Sequence, residues 1–310
     1  MTRTHPIPRM DRTIHFIGDT HLEQYTASDR AQQLVRWNKF AADIAKSTVG
    51  TTQRRIFVGD LIENFGDSDG RDRDALAKAA ADALLPACDW EVVLGNHDLA
   101  GRAAEYRTAD VWAALYGYSD QNWTLTLTDA LNDEFVKLIS IGTDTMDSVV
   151  DPPILISLAT QNWLNTELGN TTLPCLILCH APLKDTVLGP GFDSSAAYFY
   201  VHSVDIATDD ILIRAILNAN TNAKAWISGH THSSITNIDF CKSENVGARS
   251  IAAISTSSLW YVTALPATWY DPIVSLFLTV LDDRIEVRFR DHGAGIWTAV
   301  DNDRVWTFTF

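Results

Sequence analysis

Seven residues scattered between positions 19 and 232 are of the kinds that bind metal ions. They are Asp19 and His21 in GDTH, Asp60 in GD, Asn96 in GNHD, His180 in HAP, and His230 and His232 in GHTH. Carboxylate, imidazole and amide oxygen make a hard-to-borderline donor set, suited to Zn, Mn or Fe rather than to a thiolate cluster. The donors suffice for two ions if one carboxylate is shared. His97 and Asp98 complete the GNHD block, and an imidazole whose ring is oriented by a carboxylate can give a proton to a leaving oxygen. Taken singly, each block is ordinary, since Asp after Gly is a common turn and paired histidines in a loop are commonly just solvated. Their joint occurrence is what carries information.

Each block directly follows a strand-like run. TIHFI (13–17), RRIFV, WEVVL, LPCLILC and KAWIS precede GDTH, GD, GNHD, HAP and GHTH in turn. Helix-like runs lie between them. In SDRAQQLVRWNKFAADIAKS, Ala31, Leu34, Val35, Ala41, Ile44 and Ala45 recur at three- and four-residue spacing, with Ser28 as a candidate N-cap. DALAKAAADALL, AAEYRTADVWAALYG, LATQNWLNTEL and DDILIRAILNA read the same way. Strands alternating with helices predict a largely parallel sheet with helical cover. In such sheets ligands gather at the carboxyl ends of the strands, so residues far apart in sequence can converge. NWTLTLT and EFVKLISIG read as adjoining strands. From about 235 to the end, ITNIDF, RSIAAIST, PIVSLFLTVL, RIEVRFR and RVWTFTF predict an antiparallel set that completes a second sheet. No Pro/Gly/Ser-rich linker interrupts the chain, so a single domain over 1–310 is expected.

Composition excludes several classes. With 46% hydrophobic and 20% charged residues the chain reads as a soluble globular protein. A formal net charge of -15 repels polyanions and argues against a nucleic-acid partner. Cys88, Cys175, Cys179 and Cys241 lack CxxC or zinc-knuckle spacing and read as reduced core residues. The polar start MTRTHPIPRMDRT lacks a secretory signal, and PIVSLFLTVL is too short to span a bilayer, so no membrane partner and a cytoplasmic location are expected. His5 and His292 read as solvated, and His15 lies within the first strand.

The order D-x-H, GD, GNHD, H-x-P, GH-x-H resembles that of the calcineurin-like metallophosphoesterase superfamily, from Asp19 to His232. GTDT (142–145) followed by QNWLNTEL is similar to the loop and helix of the branch that holds cyclic-nucleotide and glycerophospho diesterases and purple acid phosphatases. The resemblance implies an α/β fold, a four-layer α/β/β/α sandwich of two mixed sheets flanked by helices, with two divalent or trivalent ions at the strand ends. By motif, Asp19, His21, Asp60 and His232 hold one ion, and Asp60, Asn96, His180 and His230 the other. Two divalent ions outweigh the two carboxylates and a hydroxide, so the site stays net positive within an acidic chain.

The expected activity is hydrolysis of a small phosphodiester, a nucleotide included, by attack of a metal-bound hydroxide, with His97 as the acid and Asp98 behind it. Three alternatives remain at this point: a phosphomonoesterase, a metal-dependent nuclease that would need a basic surface, and a catalytically silent scaffold that the intact GNHD block argues against. One departure matters. Protein phosphatases of the superfamily carry GDxVDRG, whereas this chain reads GDLIENFG, with Glu63 and Asn64 where Asp-Arg would stand. The long stretch 184–207 is expected to line the substrate pocket, because long loops inside compact domains are commonly functional.

Overall fold

A computed structural model of the chain describes residues 10–22, 27–46, 54–62, 78–79, 81–82, 89–98, 109–142, 155–187, 202–203, 210–232, 240–259, 273–298 and 305–310. The expectations for Glu63 and Asn64, for most of GTDT and for most of 184–207 lie outside these residues.

β1 (Thr13–Ile17), β2 (Arg54–Val58) and β3 (Trp90–Val93) run parallel, and β12 (Val274–Val280) lies antiparallel against β1. β13 (Arg284–Asp291) follows on β12, and β14 (Ile296–Thr298) and β15 (Trp306–Thr309) both pair with β13. The second sheet has the order β10-β11-β9-β7-β5-β4, with β4 at Trp123–Thr128, β5 at Glu134–Ile141, β7 at Cys175–Cys179, β9 at Ala223–Ser228, β10 at Cys241–Asn245 and β11 at Ser250–Ser255. A short parallel pair, β6 (Leu155–Ile156) and β8 (His202–Ser203), stands apart.

The alternating faces of the strands explain the layering. Leu276 and Leu278 of β12, Ile14 and Phe16 of β1, and Leu176, Ile227 and Ile254 of the second sheet meet in one buried cluster between the sheets. On the outer face of the first sheet, α1 (Ala27–Ile44) and α2 (Ala109–Tyr116) bring Trp37, Phe40 and Trp112 against Phe57 and Val92. On the outer face of the second, α3 (Leu158–Gly169) and α4 (Ile211–Ala219) bring Leu164, Leu168, Ile213 and Leu217 against Ile139, Ile177 and Trp226. Two mixed sheets flanked by helices are what the resemblance implied; the strand-helix alternation predicted the helical cover but a largely parallel sheet, whereas β12 to β15 enter the first sheet antiparallel. Among the described residues no helix is long and apolar enough to cross a membrane.

Three details depart from expectation. The strands after 235 do not go to one sheet: β10 and β11 join the second, while β12 to β15 complete the first. Moreover β11 runs parallel to β9. Both sheets present similar apolar faces, so hydrophobic pattern alone does not say which one a C-terminal strand enters. In α1 the buried stripe is Gln33, Trp37, Phe40, Asp43 and Ile44, while Leu34 and Val35 are exposed. The polar Gln33 and Asp43 are buried because each has a partner there. His292 is likewise buried, not solvated.

Candidate metal centre

The loops leaving β1, β2, β3, β7 and β9 all open at one end of the sandwich, where Asp19, His21, Asp60, Asn96, His180 and His232 are buried and His230 lies at the rim. Asp19, His21 and His232 form one group of donor atoms within 4.8 Å of one another, and Asp60, His180 and His230 form a second. In the first, Nε2 of His21 is 3.1 Å from Nε2 of His232, which is 3.3 Å from Asp19 Oδ1. In the second, His180 Nε2 is 2.9 Å from Asp60 Oδ2. The groups adjoin: Asp60 Oδ2 is also 3.8 Å from His21 Nε2, so this carboxylate faces both.

Backbone conformation marks the same residues. Among the described residues nine non-glycine residues have positive φ, and five of them are Asp19, His21, Asp60, His230 and His232. Left-handed backbone costs a non-glycine residue on the order of 1–3 kcal/mol and persists where surrounding contacts enforce it. Here the contacts are visible. His230 N donates to both Asp19 oxygens at 2.8 and 3.1 Å, and His97 N donates to Asp60 Oδ1 at 2.9 Å. The glycine ahead of the GHTH pair is needed for this approach, since a Cβ on Gly229 would stand 2.5 Å from Asp19 Oδ2.

The donors suit metal ions. His180 Nδ1 donates to Val58 O at 2.8 Å, which directs Nε2 at Asp60 Oδ2, 2.9 Å away; against its own burial, Asp60 and then Asp19 raise this imidazole to about 9, so a metal ion at Nε2 would take the place of a proton. Asn96 is buried, and neither atom of its side-chain amide has a hydrogen-bond partner among the described residues. A buried amide left so costs about 1–3 kcal/mol unless a ligand satisfies it. Burial alone would raise the Asp60 carboxyl, but His180, His97 and His21 more than offset it and hold it well below the usual carboxylate range. Asp19 is held low against its own burial by His232 and His180. Burial lowers His232 despite the nearby Asp19.

His97 lies beside the groups, its Nε2 3.9 Å from Asp60 Oδ2 and its ring edge-on to His21 at 5.0 Å. Its side chain is 13% exposed against 2% for His21, so it has the solvent access that a proton donor needs. The Asp98 carboxylate accepts from the backbone N–H groups of Leu61, Ile62 and Gly95 at 3.0, 3.4 and 2.8 Å. It thereby ties the loop of Asp60 to that of Asn96.

Several supporting residues were not singled out in the sequence. Ser258 Oγ donates to Asp19 O at 2.9 Å, Leu259 N donates to Gly18 O, and Gln33 Nε2 donates to Thr20 O. The signal for the first two was STSSL (255–259) after the run IAAI. It lies at the ligand end because β11 is parallel to β9, which the antiparallel reading had hidden.

The family model for calcineurin-like phosphoesterases matches residues 12–234, which span every block described above. The chain belongs to this family. It is accordingly a metal-dependent phosphoric ester hydrolase, of a family whose members bind a dinuclear metal centre. Among solved structures it is similar to a dimetal phosphatase from Danio rerio, with TM-score 0.59 and 14% identity, over 97% of this chain and 99% of that one. It is also similar to the purple acid phosphatase PPD1 from yellow lupin (Lupinus luteus) seeds, with TM-score 0.56 and 10% identity, over 96% of this chain and 53% of that one. At these identities the likeness is one of fold. No curated protein matches the sequence.

Proposed function

We propose that this phosphoesterase hydrolyses a small phosphodiester at a centre held by Asp19, His21, Asp60 and His232 on one side and Asp60, Asn96, His180 and His230 on the other. The observation that carries the reading is the contiguity of the two donor groups through Asp60. Two ions of the Mn, Fe or Zn kind, when bound, would neutralise phosphoryl oxygens and lower the pKa of a water. The protein's own part is to set the spacing. Asp98 holds the Asp60 and Asn96 loops together, and the His230 amide fixes the Asp19 carboxylate. His97, partly open to solvent beside Asp60, would hold the proton that the leaving oxygen takes.

Charge favours a diester. A diester brings one negative charge and a monoester nearly two, and GDLIENFG lacks the arginine that would meet the second. A small molecule rather than a nucleic acid accords with the net charge of -15. The buried thiols of Cys175, Cys179 and Cys241, none of them in a disulfide, accord with a reducing compartment, and we place the protein in the cytoplasm.

The test compares kcat/KM for bis(p-nitrophenyl) phosphate and p-nitrophenyl phosphate after loading with Mn, Fe or Zn in turn. A diester preference of at least about tenfold, or 1.4 kcal/mol in the barrier, is expected. A preference for the monoester under every metal would make the chain a monoesterase.

A further inference from the structure

At the other end of the sandwich a cavity of about 500 Å³ opens between β15 and the strands β9 to β11, within the range of small-ligand sites. Lys224 lies near the start of β9, and β9 leads to His230, so at about 3.3 Å per residue the cavity is roughly 20 Å from the metal centre. Its wall carries Lys224, Arg249, Ser243 and Thr307 beside Phe308 and Phe310.

Two features of this wall point to an anion. Arg249 is locked in place, its Nη1 donating to Leu217 O at 2.8 Å and to Asn220 O, and its Nη2 to Ala223 O. Those carbonyls satisfy its terminal nitrogens but bring no full negative charge. Lys224 sets its ammonium over the Phe310 ring at 4.9 Å. Among the described residues neither cation forms an ion pair with a carboxylate, in a chain where Asp and Glu number 39 against 24 Lys and Arg. Two adjacent positive charges without a counter-charge repel each other, and an anion between them would relieve that cost. Phe308, which packs on the inter-sheet core, and the 40%-exposed Phe310 offer apolar surface next to the charges.

We propose that this cavity is a second ligand site, for a small organic anion whose phosphate, phosphonate or carboxylate lies at Lys224 and Arg249 and whose aromatic or short aliphatic body lies against Phe308 and Phe310. The site is independent of the metal centre. Phenylphosphonate, which has no ester to hydrolyse, is the probe.

Titrated calorimetrically into the metal-loaded protein and into Asp60→Asn, it should bind to this site in both, with Kd on the order of 1 mM. Lys224→Met should weaken that binding at least about fivefold, or 1 kcal/mol, while leaving turnover on the diester unchanged. Thr307→Glu, an exposed position that would bring a carboxylate to the wall, should do the same. Neutral benzyl alcohol should not bind. Complete loss of phenylphosphonate binding in a folded Asp60→Asn protein would assign the heat to the metal centre and overturn the proposal. Unchanged affinity in both Lys224→Met and Thr307→Glu, or equal binding of benzyl alcohol, would overturn it as well.

Discussion

β1 carries one end of two different buried clusters of histidine and aspartate. His15 on the strand belongs to one, and Asp19, just past its end, belongs to the other. Along the chain from His15 through Ser275 and His292 to Asp43 every hydrogen has an acceptor, and Nδ1 of His15 is the atom of that chain left over. Asp43 Oδ2 can only accept, so His292 Nδ1 donates to it at 2.9 Å and His292 Nε2 is left as an acceptor. Ser275 Oγ, 2.6 Å away, donates to that Nε2 and accepts from His15 Nε2, also at 2.6 Å. Arg290 and Lys46 neutralise Asp43. Around Asp19 the same residue types crowd imidazole nitrogens and carboxylate oxygens onto common points, with a buried amide unsatisfied and the backbone strained. The Ser275–His292–Asp43 order is that of a hydrolase triad, but Ser275 is 0% exposed, so no substrate reaches it. A closed network of partners is a strut. An open one, at a strand end, is a site.

The largest test of this contrast is Asp60→Asn. Losing the carboxylate that faces both donor groups should remove at least one metal and reduce turnover by more than about 10⁴-fold, since the two ions act together. Full metal content by elemental analysis with near-normal turnover would remove the two-ion reading. His97→Ala should leave both metals bound and cost about 10²- to 10⁴-fold, less for an ester with an acidic leaving group than for an alkyl ester. An equal loss on both esters would take the acid role from His97.

On the other side, Asp43→Ala leaves Arg290 buried without its counter-charge and the Nδ1 hydrogen of His292 without its acceptor. Stability should fall by about 3–5 kcal/mol in urea, with metal content of the folded protein unchanged. A loss below 1 kcal/mol would mean the strut carries no load. The smallest effect is one of pH. Burial lowers His292 to about 4 despite Asp43, so the folded chain refuses a proton that the unfolded chain takes up near 6.5. Stability should therefore decline as pH falls from 6.5 toward 4, by on the order of 3 kcal/mol, and be level in this respect above 6.5. Against His292→Asn, the wild type should show the steeper decline; parallel slopes would place the acid sensitivity elsewhere.

Much of the site was legible because its residues obey a positional rule. A donor-type residue at the end of an apolar run is visible at Asp19, Asp60, Asn96, His180 and His230, whatever the sequence distance between them. The supports were less legible. Gln33 and Asp43 look like the solvated face of an amphipathic helix, and it is their tertiary partners, Thr20 for the first and Arg290 and His292 for the second, that make them interior. Ser258 was hidden by the direction of β11, which pairing decides and propensity does not. VSLFLTV was plain as a strand, but its sheet was not, because either sheet could bury it.

The donor groups also bear on how the two sheets stay together. Asp19, His21 and Asp60 leave strands of the first sheet, whereas His180, His230 and His232 leave strands of the second. Each group of three thus draws from both. An ion seated in either group would be a stitch through the sandwich, joining positions as far apart as 19 and 232 in a ring that the unfolded chain would have to close at its own entropic cost. Free metal would then act on the melting temperature as a stabilising ligand does, and chelation should lower it. A chelated protein that melts where the loaded one does would mean that the sandwich holds without its thread.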